Sequence, residues 1–279
     1  MQALKIENLT KTYKSFKLDS VSFELEQGYI MGFIGRNGAG KTTTLKSMLN
    51  FTHPDCGKVT INGFDIKENE FEVKKSIGFV SGLDGFYNSK KIKAVTNVTK
   101  KFFPNWNDEY YHELMQKFNL DENKLIKNLS AGMKVKYQIA IAMSHDAKLL
   151  ILDEPTSGLD PVSRDELVLL FQDYVADGEH TILFSTHITS DLEKCADQIT
   201  YIKNGKILKS CDIVSFKQAY LLVAGKKDDL TDELKKKIIG LHVHNLGFEG
   251  LIEAQDKEDF SMCEISQPSL EEIMVHNER

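Results

Sequence analysis

A glycine-rich segment of the chain has the residue types that bind a phosphate chain. Residues 35–42 read Gly-Arg-Asn-Gly-Ala-Gly-Lys-Thr, which fits the pattern G-x-x-x-x-G-K-[ST] in full. Glycines allow successive backbone N–H groups to converge on phosphate oxygens without interference from Cβ atoms. Lys41 supplies a positive charge for the β- and γ-phosphates, and the Thr42 hydroxyl is suited to binding Mg²⁺.

The residues on either side of this segment agree with that chemistry. Residues 29–34 are apolar, as expected of a strand buried on both faces, and residues 42–50 continue with helix-compatible spacing. A helix that begins at this point directs its positive N-terminal end at bound phosphate. We therefore predict a nucleotide site formed by Gly35, Arg36, Asn37, Gly38, Ala39, Gly40, Lys41, Thr42 and Thr43.

Two adjacent carboxylates end a second apolar run. Residues 149–152 are followed by Asp153 and Glu154. Asp153 is suited to hold Mg²⁺, typically through water, and Glu154 is placed to polarise a water molecule at the γ-phosphate. A carboxylate pair at a strand end can also merely cap the next element, but the phosphate-binding segment upstream favours the catalytic interpretation.

Four further segments resemble motifs of the ABC ATPase family. Residues 129–133 read Leu-Ser-Ala-Gly-Met and stand where that family has its LSGGQ signature, and residues 157–160 are similar to its D-loop. His187 resembles the family's switch histidine, and Tyr13 resembles the aromatic residue that stacks on adenine. The resemblance covers about residues 3–215, in the family's order of motifs.

Three of these residues also have a simpler interpretation. Tyr13 fits an ordinary edge-strand tyrosine, and His187 fits a structural residue at a strand end. Ser130 fits the N-cap of the next helix. The capping role does not compete with the signature role, because the cap directs the same helix N-terminus at an anion.

The resemblance implies an α/β fold with a P-loop NTPase (RecA-like) core. To this core are added an N-terminal antiparallel β subdomain, an inserted helical subdomain and a small C-terminal extension. Residues 1–215 would form the ABC nucleotide-binding domain, with the helical subdomain at about residues 84–146. Residues 216–279 would form the mixed C-terminal extension.

The residue patterns support this arrangement. Core-strand candidates occur at residues 77–80, 149–152 and 181–185, and apolar residues recur at helical spacing within the predicted insertion. Asn62-Gly63 and Asn204-Gly205 lie between strand-like runs and predict hairpin turns. The first six residues predict an edge strand.

The resemblance also implies how a complete site is built. In the family, the signature segment faces the nucleotide of the opposite subunit, and this chain has one phosphate-binding segment and one signature segment. We therefore expect a head-to-tail homodimer or heterodimer with ATP and Mg²⁺ between its subunits. The implied residues, by role, are Glu154, His187 and Lys41 for catalysis, Thr42 and Asp153 for the metal, Tyr13 for adenine, and Ser130 and Gly132 for the ATP of the opposite subunit.

Two features depart from the family pattern. The signature has Ala131 and Met133 where the commonest form has Gly and Gln, but it retains the serine and the second glycine. The family usually places a Gln that touches Mg²⁺ and the permease interface where this sequence has Gly82. We expect water to fill that ligand position, without direct metal binding by Asp84.

Composition and charge restrict the partners. The chain has 279 residues and a formal net charge of −6, which does not favour nucleic acid as a partner. No stretch approaches the ~20 apolar residues needed to cross a bilayer. The four cysteines have no CxxC spacing, as is typical of reduced thiols in a cytosolic protein. We expect a cytoplasmic protein held at the inner face of the cell membrane by an integral-membrane permease.

Other functions within the same family are open at this point. Translation-type ABC ATPases carry two cassettes and chromosome-type ones carry a long coiled-coil insertion, whereas fewer than a hundred residues separate Lys41 from Ser130. A regulatory ATPase with weak or no hydrolysis is a second alternative, favoured by Gly82. The signature and residues 158–161 resemble bacterial subunits that serve export permeases, so we expect export of a peptide or an amphipathic drug.

Overall fold

The computed structural model describes residues 1–81 and 87–279 of the chain. Gly82 and Asp84 lie outside the described residues. The strands, in chain order, are β1 (Gln2–Thr12), β2 (Lys17–Glu26), β3 (Ile30–Ile34), β4 (Cys56–Ile61), β5 (Phe64–Asp65), β6 (Ile77–Ser81), β7 (Leu149–Asp153), β8 (Thr181–Thr186), β9 (Gln198–Lys203), β10 (Lys206–Asp212), β11 (Tyr220–Gly225), β12 (Ile239–His244), β13 (Gly247–Glu253) and β14 (Glu264–Ser266).

The α-helices of the described residues lie between these strands or, in one case, after the last of them. In chain order they are α1 (Lys41–Met48), α2 (Glu70–Ser76), α3 (Ile92–Thr99), α4 (Asp108–Lys117), α5 (Ala131–Ser144), α6 (Pro161–Val175), α7 (Thr189–Cys195), α8 (Ile213–Gln218), α9 (Asp232–Lys237) and α10 (Leu270–Glu278).

The central sheet has the strand order β10-β9-β3-β8-β7-β6. The five strands from β9 to β6 are parallel, and β10 is antiparallel to β9. Every residue of β3, β7 and β8 is buried, which is why these strands are continuous apolar runs rather than alternating ones. The core strands expected at residues 77–80, 149–152 and 181–185 are confirmed.

The register of this sheet brings the predicted motifs to one edge. Ile34 of β3 pairs with Thr186 of β8, and Asp153 of β7 pairs with Ser185 of β8. Because the strands are parallel, the segments that follow β3, β7 and β8 leave the sheet at its carboxyl edge, where open α/β sheets bind their ligands.

The N-terminal part of the chain forms a four-stranded antiparallel sheet in the order β2-β1-β4-β5. The prediction of an edge strand at the N-terminus is wrong, because β1 pairs with β2 on one side and with β4 on the other. Local alternation of apolar residues marks a half-buried strand but carries no information about its neighbours. The two hairpins predicted at Asn-Gly pairs are confirmed, since β4 pairs with β5 and β9 pairs with β10 in antiparallel register.

Three helices, α3 to α5, occupy the region of the predicted helical insertion. Thr96 of α3 hydrogen-bonds at 2.9 Å to the hydroxyls of both Tyr111 of α4 and Tyr137 of α5. The three side chains are buried, so this network fixes the helices relative to one another. It also fixes the orientation of α5, which begins directly after Ser130.

The C-terminal residues form a second antiparallel sheet, in the order β12-β13-β11-β14. Phe216 of α8 and Leu270 and Ile273 of α10 are fully buried in the same apolar cluster as the central sheet. The division at residue 216 lies inside helix α8 and stays a prediction, as do the other domain limits.

Candidate nucleotide site

Residues 35–40 form a loop between β3 and helix α1, whose first residue is Lys41. Gly38 and Gly40 adopt φ values of 83° and 115°, a region that favours glycine because it has no Cβ. A Cβ on Gly35 would lie 2.4 Å from the backbone oxygen of Ile202. The glycines of the pattern therefore allow both the turn and its close packing on β9.

Lys41 is buried, with 6% of its surface exposed. Its Nζ donates a hydrogen bond to the backbone oxygen of Gly35 at 2.7 Å and lies 3.4 Å from Oε1 of Glu154. A buried ammonium group requires such partners. Lys41 is thus held beneath the loop, between the end of β3 and the end of β7.

Asp153 accepts hydrogen bonds from two hydroxyls. Thr42 donates to Oδ2 at 2.8 Å and Ser185 donates to Oδ1 at 2.5 Å. The structure thus brings together the two residues predicted for the metal. Ser185 is a residue that sequence reasoning did not single out, because it stands inside an apolar run and its contact depends on the register of β7 against β8.

The oxygens of Thr42 and Asp153 fit Mg²⁺, a hard cation that prefers oxygen ligands. Within the described residues, no group of three or more His, Cys, Asp or Glu side chains could hold a metal ion. Proteins usually bind Mg²⁺ beside nucleotides through one or two side chains together with phosphate and water oxygens.

Glu154 has a left-handed backbone conformation, with φ of 53°. Such a conformation is uncommon in a residue with a side chain and is concentrated at functional sites. Its N–H donates to the backbone oxygen of Ser185 at 2.9 Å, and its Oε2 lies 2.7 Å from Nδ1 of His187. The sharp turn after β7 therefore directs the carboxylate at both His187 and Lys41.

An open cleft lies over the loop of residues 35–40. Its lining, within the described residues, includes part of the loop, Thr42 and Thr43, and also Tyr13, Phe16 and Glu154. Tyr13 follows β1 and is 44% exposed, so its ring is available at the mouth of the cleft. Phe16 was not predicted; its ring tip lies 2.8 Å from the position that a Cβ on Gly40 would take.

Gly35, Arg36 and Ala39 are not among the lining residues of this cleft. Gly35 and Ala39 lie below the surface of the loop, and the Ala39 backbone oxygen accepts a hydrogen bond from Gly205 at 2.9 Å. Arg36 is exposed. These three positions shape or flank the loop, whereas Asn37, Gly38 and Gly40 face the cleft.

Ser130 and Gly132 are likewise absent from the cleft lining of their own chain. Ser130 is the N-cap of α5, and its Oγ accepts a hydrogen bond from the N–H of Met133 at 3.2 Å. A Cβ on Gly132 would lie 2.3 Å from Leu159 of the D-loop-like segment. The start of α5 thus packs against Leu159, and its N-cap residue Ser130 is exposed.

Comparison with known proteins agrees with this geometry. The family model described as ABC transporter matches residues 18–157. The chain is 30% identical to the ABC transporter ATP-binding protein YtrB of Bacillus subtilis over 74% of this chain and 70% of that protein. It is 35% identical to the bacitracin transport ATP-binding protein BcrA of Bacillus licheniformis over 74% of this chain and 68% of that protein.

Solved structures support the same fold. A structure described as the ATP binding subunit of an ABC transporter superposes with a TM-score of 0.71 at 24% sequence identity, and it covers 77% of this chain and 92% of its own. Among the residues that the structure describes, no helix is long and apolar enough to cross a membrane. The chain belongs to the ABC transporter family, as an ATP-binding subunit that hydrolyses ATP to drive a separate membrane permease.

Proposed function

We propose that ATP binds with its phosphates on residues 35–43 and its adenine against Tyr13. The observation that carries this proposal is the convergence of Lys41, Thr42, Asp153 and Glu154 at the carboxyl edge of the sheet. Lys41 would exchange its contacts with Gly35 and Glu154 for the β- and γ-phosphate oxygens. Charge-assisted bonds of this kind are about twice as strong as neutral ones.

Mg²⁺ would be held by the hydroxyl of Thr42 and, through water, by Asp153. The ion would neutralise charge on the phosphates. Ser185 fixes the rotamer of Asp153 through its hydrogen bond to Oδ1, so that Oδ2 stays directed at Thr42. Ser185 is therefore a positioning residue, which acts on the metal site only through Asp153.

Glu154 is the proposed general base. Its carboxylate would accept a proton from the attacking water, while His187 would turn from Glu154 to the γ-phosphate. Catalysis of phosphoryl transfer is mostly positioning and charge stabilisation. The strained backbone of Glu154 supports this role, because it fixes where the carboxylate emerges from the sheet.

A complete site would require two subunits in head-to-tail contact, either a homodimer or a heterodimer. Ser130 and Gly132 of the opposite subunit would then contact the γ-phosphate. Three features support this arrangement: the exposed N-terminus of α5, the capping of that helix by Ser130, and the absence of both residues from the cleft lining of their own chain. ATP binding would close the dimer and hydrolysis would open it.

The proposed cargo is an exported peptide or amphipathic drug. Two of the relatives are named as bacitracin transport ATP-binding proteins, and bacitracin is a peptide. The subunit would lie in the cytoplasm against the inner face of the membrane, attached to its permease. The net charge of −6 supports a partner other than nucleic acid.

The test uses inside-out membrane vesicles that contain the partner permease, supplied with the purified subunit. ATP added outside should drive a fluorescent bacitracin derivative into the vesicle lumen. Vesicles supplied with the Glu154→Gln subunit are the matched control and should accumulate none. Export of peptide is contradicted if wild-type vesicles hydrolyse ATP but accumulate no more label than the control.

A further inference from the structure

The last helix of the chain is bonded directly to a strand of the ATPase core. The hydroxyl of Tyr201 in β9 donates to Oε1 of Glu278 in α10 at 2.9 Å. Nζ of Lys203, also in β9, donates to the backbone oxygen of Asn277. Burial, and then the bond to Glu278, raises the pKa of Tyr201, so its hydroxyl remains a protonated donor to the carboxylate.

Helix α10 is anchored at its other end as well. Ser269 and Glu272 form a capping box at its start. The N–H of Leu270 donates to Oε1 of Glu193 in α7 at 3.0 Å, and the side chains of Leu270 and Ile273 are fully buried in the main apolar cluster. The helix is therefore a packed part of the nucleotide-binding core.

Strand β9 also contacts the phosphate-binding loop. Tyr201 pairs with Ile34, the residue before the loop. The backbone oxygen of Ile202 would lie 2.4 Å from a Cβ on Gly35. After the turn that follows β9, Gly205 donates to the backbone oxygen of Ala39 at 2.9 Å. Strand β9 and its hairpin therefore contact the loop near both of its ends.

We propose that helix α10 positions the phosphate-binding loop through strand β9, so that docking of α10 and binding of nucleotide stabilise each other. Tyr201, Lys203 and Glu278 are positioning residues in this scheme, because they touch neither ATP nor the reacting atoms. The proposal rests on the placement of ATP proposed above. Coupling between two sites is reciprocal in binding free energy. Loss of α10 docking should therefore weaken nucleotide binding, and nucleotide binding should stabilise α10, so the coupling can be measured from either side.

The first readout is kinetic. Glu278→Ala and Tyr201→Phe each remove the hydrogen bond between the Tyr201 hydroxyl and Glu278. Each should raise the KM for ATP about 5-fold and leave kcat at saturating ATP within about twofold, since the catalytic groups are untouched. Glu278→Gln keeps an acceptor for the Tyr201 hydroxyl and should restore the KM.

The matched control for this series is Arg279→Ala, one residue further along. The Arg279 guanidinium contacts Glu249 of the C-terminal sheet at 3.6 Å rather than β9. Its KM should equal that of the wild type.

The second readout is amide hydrogen exchange of the wild-type chain, which needs no variant of α10. Saturating Mg-ADP should slow exchange of the α10 amides, and the Lys41→Ala chain at the same nucleotide concentration should not respond. Unchanged KM values together with unchanged α10 exchange would overturn the coupling and leave α10 a purely stabilising element. Full nucleotide affinity in Lys41→Ala would instead overturn the placement of ATP, so the two failures are distinguishable.

Discussion

The carboxylate of Glu154 lies 2.7 Å from Nδ1 of His187, and the two residues follow the neighbouring strands β7 and β8. The same carboxylate lies 3.4 Å from the ammonium group of Lys41. A proposed base, a proposed γ-phosphate contact and a proposed phosphate-binding cation thus share one contact network. Because ATP would insert its γ-phosphate into this network, we expect both partners of Glu154 to reorient on binding.

Replacing His187 with Ala should lower the ATPase kcat by ~10²-fold, a loss typical of removing one group that stabilises transition-state charge. ATP affinity should change less than kcat, because Lys41 and the backbone of residues 35–40 would still bind the phosphates. Steady-state ATPase measurements together with nucleotide binding separate the two quantities.

The matched control is His180→Ala, at the other end of strand β8. His180 contacts Asp146 and Asp177 at 2.8 Å and 2.6 Å, far along the strand from the cleft. That variant should lose stability but keep the wild-type kcat. Equal kcat values for the two variants would remove His187 from the proposed mechanism.

Much of the site followed from local sequence, because the glycine spacing and the buried strands are themselves the signal. Ser185 did not, since its contact with Asp153 depends on the register between two strands that are distant in sequence. The central position of β1 is hidden for the same reason. The C-terminal region is predicted only as a mixed extension, and its strand β14, with three residues, is too short a pattern to detect.

Lys41→Ala should weaken ATP binding, because a charge-assisted contact with the phosphates is lost. Isothermal calorimetry with ATP measures the affinity. Lys46→Ala is the matched control, since Lys46 stands on the exposed face of the same helix. Affinity in Lys41→Ala equal to that of the control would mean that nucleotide binds elsewhere.

Gly35→Ala should impair both folding and nucleotide binding. The added Cβ would stand 2.4 Å from the backbone oxygen of Ile202, so β9 or the loop must shift. Overpacking of this kind costs about 1–3 kcal/mol of unfolding free energy. Denaturation and ATP titration measure the two effects.

Gly63→Ala provides the comparison for Gly35→Ala. Gly63 lies in the turn between β4 and β5 and has a φ of 83°. No other atom lies within 4 Å of the position that an added Cβ would take. It should lose some stability through backbone strain alone and keep its ATP affinity. A Gly35→Ala chain with wild-type ATP affinity would contradict the close fit of loop and strand.

Ser130→Asp should separate the capping role of Ser130 from its role across the dimer interface. Aspartate is as good an N-cap as serine, so α5 should remain stable. Its negative charge would repel the γ-phosphate bound by the opposite subunit. In a Glu154→Gln background, we expect ATP to bind each monomer normally while the ATP-dependent dimer is lost in size-exclusion chromatography. Weakened binding to the monomer would place Ser130 in the site of its own chain instead.

The ATPase rate of Glu154→Gln tests most directly whether this cleft hydrolyses ATP with Glu154 as the base. Glutamine keeps the size of the side chain but cannot accept the proton. We expect unimpaired ATP binding, turnover at least ~10²-fold lower than wild type, and an ATP-bound dimer that persists. Glu179→Gln, at the opposite edge of the sheet, serves as the control with wild-type turnover. Turnover in Glu154→Gln close to that of the control would contradict the account.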